Sequence, residues 1–221
     1  MNKMVIFDLD GTLLDTLEDL CDSVNYSLRA NNFPERSLNE VRAFVGNGIR
    51  LLIERSVPEN TSSKLTDKTF ECFKAYYEQH CNDKTHAYPG VMDMLTSLKH
   101  KGYKVAVISN KAQYAVTKLC DLYFKNMLDD AIGAVEQVPK KPAPDSIYSC
   151  AKRHNIDLKN IIYVGDSDVD ILTANNAHVN GIAVTWGFRE KEILLKYGAK
   201  QLADNTGELL QMITNIFENS L

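Results

Sequence analysis

The stretch Met4-Val5-Ile6-Phe7-Asp8-Leu9-Asp10-Gly11-Thr12 decides the architecture. Four apolar residues in a row read as a strand buried on both faces, the kind found in parallel sheets. The run then becomes acidic at alternate positions, so Asp8 and Asp10 point to the same side of an extended chain. Gly11 permits a sharp turn away from the strand. The backbone N–H groups of Gly11 and Thr12 are then placed to face an anion. Two carboxylates at the end of a buried strand suit a magnesium-dependent phosphoryl-transfer site. Ligands in open α/β sheets bind beyond the carboxyl ends of the strands, so the residues just past every other strand matter as much.

Working outward, Tyr103–Ile108 is a second buried strand, and Ser109-Asn110-Lys111 come directly after it. Ile161–Val164 is another, leading into Gly165-Asp166-Ser167-Asp168-Val169-Asp170. Shorter strands are expected at Asp130–Ala134, Gly181–Thr185 and, at an edge, Leu202–Ala203. Helical spacing marks Val91–Lys99, Ala112–Tyr123, a segment opening at Pro144, and Glu208–Phe217. Lys140-Lys141-Pro142-Ala143-Pro144 leads into the third of these helices. Strands alternating with helices predict a Rossmann-like parallel sheet covered on both faces.

Between Thr16 and Ala87 this alternation stops, and no convincing strand is present. Leu17, Leu20, Cys21, Val24 and Leu28 mark one helical face. Ser37-Leu38-Asn39-Glu40 has the capping-box pattern. Gly46-Asn47-Gly48 interrupts that helix, Ile49–Arg55 resumes it, and Leu65, Phe70, Phe73, Tyr76 and Tyr77 mark a long further one. The expected organisation is an α/β core formed by 1–15 and 88–221, with an all-helical insertion at 16–87.

Of the 221 residues, 44% are hydrophobic, enough for a sizeable core. The net charge of −4 is well mixed and argues against nucleic acid or an anionic membrane as a partner. No apolar run is long enough to span a bilayer, and the N-terminus lacks the pattern of a secretory signal. The five cysteines are scattered without a CxxC pair, as expected of free thiols in a reducing cytoplasm. The five histidines show no metal-ligand spacing.

Taken in order, DxDGTLxD at a strand end, SNK, KPxP and GDSxxD resemble the four motifs of the haloacid dehalogenase (HAD) superfamily. Val41–Gly48 and Thr185-Trp186-Gly187-Phe188-Arg189 are similar to its phosphoglycolate-phosphatase-like subgroup, and the helical insertion resembles that subgroup's cap. The resemblance implies that Asp8 is the nucleophile and that Asp10 is a general acid and base. It also implies that Lys141, directly before Pro142, neutralises phosphate and nucleophile together. Ser109 and Asn110 would donate to phosphoryl oxygens, with Gly11 and Thr12 beside them. A magnesium ion would be held by Asp8, the Asp10 carbonyl and Asp166. Asp170, one helical turn on, would orient Asp166 or a metal-bound water, or bind the metal itself. From the cap, Gly48 and Arg50, with Arg42 as a rival, are expected near a substrate anion. Trp186 and its neighbours are expected either to line the entrance or simply to pack. Lys111, Asp168 and Lys140 are expected to be solvated. In the second motif, alanine comes after Lys111 where family members often have proline, which puts the local turn in question.

The implied activity is magnesium-dependent hydrolysis of a small phosphate monoester, phosphoglycolate being the example, through an aspartyl phosphate. A pyrophosphatase or a β-phosphoglucomutase-like phosphotransferase is the alternative on the same scaffold, and a non-catalytic binding protein is a third. The partner is a small-molecule phosphate ester, and the expected assembly is a monomer or small homo-oligomer.

Overall fold

A computed structural model describes residues 2–219. The chain opens with strand β1 (Met4–Phe7) and a short strand β2 (Leu14–Asp15). Four helices come next: α1 (Leu17–Arg29), α2 (Leu38–Phe44), α3 (Ile49–Ser56) and α4 (Ser63–His80). The chain continues through β3 (His86–Ala87), α5 (Val91–His100), β4 (Lys104–Ala112), α6 (Gln113–Tyr123), β5 (Asp130–Ala134) and α7 (Asp145–His154). It ends with β6 (Ile161–Gly165), α8 (Asp168–Ala177), β7 (Asn180–Val184), α9 (Lys191–Lys196), β8 (Leu202–Ala203) and α10 (Thr206–Glu218). Two compact units result: Met1–Leu14 with Ala87–Leu221, and Asp15–His86.

In the first unit, six strands form one sheet in the order β5-β4-β1-β6-β7-β8. Every pairing is parallel. β1 lies centrally and pairs Phe7 with Val107 on one side and with Val164 on the other. All four β1 residues are fully buried, as a strand covered on both faces requires. Met4, Ile6, Ala106, Ile108, Ile161 and Tyr163 make one face of that core, packed against Ile147 and Cys150 of α7 and Ala174 and Ala177 of α8. Asp8 continues the same alternation and emerges at the carboxyl edge on the Tyr163 face.

The second unit is built from helices. Ser37 and Glu40 form the expected capping box at the start of α2. Gly48 caps α3 with φ +89°, a conformation that favours glycine. Asp19 of α1 is buried and accepts hydrogen bonds from the Lys84 and Thr85 backbone N–H groups and the Thr85 hydroxyl. That carboxylate ties the end of the unit's chain back to its first helix.

The structure adds elements that the sequence pattern does not show. The two-residue strands β2 and β3 pair with each other at the edges of a segment expected to hold no strand. α9 is short and buries only Leu194 from its interior, so no clear periodic stripe announces it. Among the described residues, all five cysteines are free and no helix is long and apolar enough to cross a membrane.

Candidate active site

The first loop is shaped by a tight turn. Asp8 N–H extends the ladder by donating to Val164 O (2.8 Å), and Leu9 N–H donates to Asp8 Oδ1 (2.7 Å). Leu9 O then accepts from the N–H groups of Thr12, Leu13 and Leu14 at 3.3, 3.0 and 3.0 Å. Gly11 sits at φ +81°, where a Cβ would also lie 2.3 Å from Asp166 Oδ2. No other residue fits there, so this glycine brings the two acidic loops together.

Asp166 leaves β6 into a collar of small residues and donors. Thr12 Oγ1 donates to Asp166 Oδ1 (3.1 Å), and Phe188 N–H donates to Oδ2 (2.7 Å). Trp186 Nε1 donates to Thr12 O (3.1 Å). A Cβ on Gly187 would lie 2.2 Å from Asp166 Cβ and 2.4 Å from Gly11 O. The Trp186-Gly187-Phe188 segment therefore holds the two acidic loops in register, a role more definite than lining an entrance. The Gly11 and Thr12 backbone N–H groups, expected to face an anion, donate instead within the turn to Leu14 O (2.8 Å) and Leu9 O (3.3 Å), and the Thr12 hydroxyl is spent on Asp166.

Lys141 is the hub. Its buried ammonium lies 3.0 Å from Asp8 Oδ2, 2.7 Å from Asp170 Oδ1 and 2.9 Å from the Tyr163 hydroxyl. Tyr163 also stands 3.0 Å from Asp170 Oδ1. Asp170 Oδ2 accepts from Ser167 N–H (3.1 Å) and Ser167 Oγ (2.6 Å), so both carboxylate oxygens have protein donors. The Asn110 amide clamps the lysine's backbone from both sides: Nδ2 donates to Lys141 O (3.0 Å) and Oδ1 accepts from Lys141 N–H (2.9 Å). Asn110 is thus a brace for the lysine. Ser109 is buried beside it, its hydroxyl oxygen accepting from Lys111 N–H at 3.3 Å.

Of the residues expected to be solvated, Lys111 is not and Asp168 is partly so. Lys111 is buried, with its ammonium 2.8 Å from Asp10 Oδ1. Asp168 pairs with Arg189 at 3.2 Å. Arg50 belongs to the helical unit, where its guanidinium is bound to Glu54 (2.7 Å) and Asp67 (2.6 Å) and stacks over Phe70. Gly48 serves that unit as the cap of α3.

The electrostatics arise from burial. Desolvation pushes Asp8 up to about 7; Asp170 and Asp10 add to the rise, and Lys141 opposes it. Desolvation likewise pushes Asp166 up to about 8, reinforced by Asp170 and Asp8 and opposed by the Phe188 and Thr12 hydrogen bonds. Burial pulls Lys141 down, but Asp170 and Asp8 more than compensate and hold its ammonium well above the usual lysine range. One oxygen each of Asp8, Asp166 and Asp170 lie within 4.8 Å of one another. A crowded, desolvated set of hard oxygen donors is what a divalent cation such as magnesium relieves, so the residues fit that ion.

A parallel α/β sheet with this carboxylate–lysine cluster at its carboxyl edge is a hydrolase scaffold of one recognisable class. The family model of haloacid dehalogenase-like hydrolases matches residues 5–184, and the chain belongs to that family. Among curated relatives, the phosphoglycolate phosphatase of Vibrio parahaemolyticus is 31% identical over 218 residues, covering 96% of each chain. That of Colwellia psychrerythraea is 32% identical over 215 residues, covering 94% of this chain and 95% of the relative. A solved structure from Lactobacillus delbrueckii subsp. bulgaricus superposes with a TM-score of 0.91 at 33% identity, covering 96% of this chain and 99% of that one.

Proposed function

We propose that this hydrolase cleaves a small phosphate monoester of the phosphoglycolate kind, with magnesium as cofactor and an aspartyl phosphate on Asp8 as intermediate. The observation that carries this reading is the position of Asp8. Its carboxylate sits at the end of the central strand, 3.0 Å from a buried lysine and grouped with Asp166. The full-length relatives named phosphoglycolate phosphatase support the substrate class.

Asp8 and Asp166 would hold the metal, with the Asp10 carbonyl as the third protein ligand. Asp170, whose oxygens are already bound by Lys141, Tyr163 and Ser167, stays with the lysine as its anchor. Bound magnesium supplies charge neutralisation for carboxylate and phosphate together. The protein's own residues do the rest. Lys141 lies against Asp8 and screens the dianion as it approaches. Asp8 Oδ attacks phosphorus, and the P–O bond to the leaving alkoxide breaks as the acyl phosphate forms. Asp10 gives its proton to that alkoxide, then takes one from the water that attacks phosphorus and frees Asp8. The Ser109 hydroxyl donates to the transferring oxygens. The helical unit serves as the family's cap, and free cysteines suit a cytoplasmic setting.

The test is a screen of purified protein against phosphorylated metabolites, pyrophosphate and a sugar phosphate included, with and without magnesium. Phosphate release from phosphoglycolate, abolished by chelator and restored by magnesium, is expected. Preferred turnover of pyrophosphate, or isomerisation of the sugar phosphate, would replace this reading with the alternative one.

A further inference from the structure

Lys111 carries a buried ammonium at the carboxyl edge that the proposed mechanism leaves unused. It lies at the end of β4, the strand paired directly with β1. β4 breaks register between Ile108 and Ala112, so its last residues depart from simple alternation. That irregularity lets Lys111 reach across to Asp10 Oδ1 at 2.8 Å, with only 2% of its side chain exposed against 14% for Asp10. A buried ion pair is a poor way to gain stability, because desolvating two charges offsets their attraction. Its place here therefore calls for a role in the site.

We infer that Lys111 is a positioning residue for Asp10: its ammonium fixes the carboxylate where proton exchange with the leaving group takes place. This rests on the proposed role of Asp10 and adds a second, distinct job for a lysine at this edge. Lys141 serves the nucleophile and is braced by Asp170 and Tyr163. Lys111 serves the other carboxylate, and its backbone N–H lies against the Ser109 hydroxyl. Asp10 stands just past the end of β1, with Gly11 already turned away at φ +81°, and its ion pair with Lys111 restricts the rotamers its side chain can take. A carboxylate that must meet a leaving oxygen within hydrogen-bond reach cannot wander by even about 1 Å without a large loss in rate.

The experiment compares kcat/KM on phosphoglycolate and on p-nitrophenyl phosphate for the wild type, D10N, K111M, K111R and D10N/K111M, all with magnesium. p-Nitrophenolate leaves without a proton, whereas an alkoxide needs one, so losing Asp10 should hurt the first substrate far more. D10N and K111M should each lower kcat/KM on phosphoglycolate by on the order of 10²-fold, and on p-nitrophenyl phosphate far less. K111R, which keeps the charge, should recover part of the loss. In the D10N background, K111M should cost nothing further, because the residue it positions is already gone. If K111M fails to fold, D10N/K111M, in which both charges of the pair are removed, is compared with D10N, and a further loss on phosphoglycolate would overturn the inference. Equal losses on both substrates for K111M, or losses that multiply in the double variant, would overturn the inference. If D10N itself lowers both substrates equally, the acid–base reading of Asp10 fails; a selective D10N beside an unselective K111M fails only the role of Lys111.

Discussion

Replacing Asp8 by asparagine should make the metal-free protein more stable, and the gain should grow with pH. In the folded state burial pushes Asp8 up to about 7, against an ordinary value of 3.8. Between those two values the folded chain holds a proton that the unfolded chain has lost. Stability therefore falls as pH rises through that window, and the fall ends once the folded carboxyl ionises near 7. Asparagine has no proton to lose, so it escapes this slope. From about pH 5.5 to pH 8 the wild type passes through about 1.5 pH units of the window, at about 1.4 kcal/mol each. The advantage of D8N should therefore increase by about 2 kcal/mol over that range. Lys141 remains paired with Asp170 in the variant, so no buried ammonium is orphaned. The assay is urea denaturation in excess chelator at both pH values, for both proteins. A pH-independent difference between them would refute the reasoning, since it would mean that Asp8 is not held in a desolvated, acid-crowded site. The same variant should show no turnover while remaining folded.

Gly187→Ala should cut turnover at least tenfold and raise the magnesium concentration needed, because its Cβ would meet Asp166 and the Gly11 carbonyl; unchanged magnesium dependence would count against the collar around Asp166. Asp19→Ala should destabilise the protein by about 2 kcal/mol, because it removes the charged acceptor of the Lys84 and Thr85 backbone N–H groups, while the Thr85 hydroxyl keeps Cys81 O; a loss below about 1 kcal/mol in urea unfolding would contradict that. Arg50→Ala should leave KM for phosphoglycolate unchanged and cost less than about 1 kcal/mol, since its exposed guanidinium is spent on Glu54 and Asp67. A selective rise in KM for phosphoglycolate over p-nitrophenyl phosphate would restore Arg50 as the anion reader.

Much of the fold is legible because it is written in local patterns. Met4–Phe7, Tyr103–Ile108 and Ile161–Val164 are apolar runs that can only be central strands, and each brings its polar successors to the same edge. Alternation alone puts Asp8 on the Tyr163 face. The hidden parts depend on contacts between distant segments. Lys111 reads as solvated because it sits in a polar turn; its direction is set by the broken register of β4, which no spacing encodes. Asn110 has the composition of a turn residue, yet its amide is matched to a backbone 31 positions away. Phe188 acts on Asp166 through its N–H, a group every residue but proline carries, so its identity says nothing. The only usable hint is Gly187 between two large aromatics, which marks a close approach. Arg50 shows the same limit: an arginine after a glycine break suggests an anion, while its pairing with Glu54 one turn on and Asp67 of α4 appears only in the fold.

The most direct test of the central claim is to quench the enzyme in acid during turnover of phosphoglycolate with magnesium, reduce it with sodium borohydride, and map the peptides by mass spectrometry. An acyl phosphate on Asp8 predicts homoserine at position 8 and nowhere else. Homoserine at Asp10 or Asp166, or phosphate found on another side chain with position 8 intact, would contradict it.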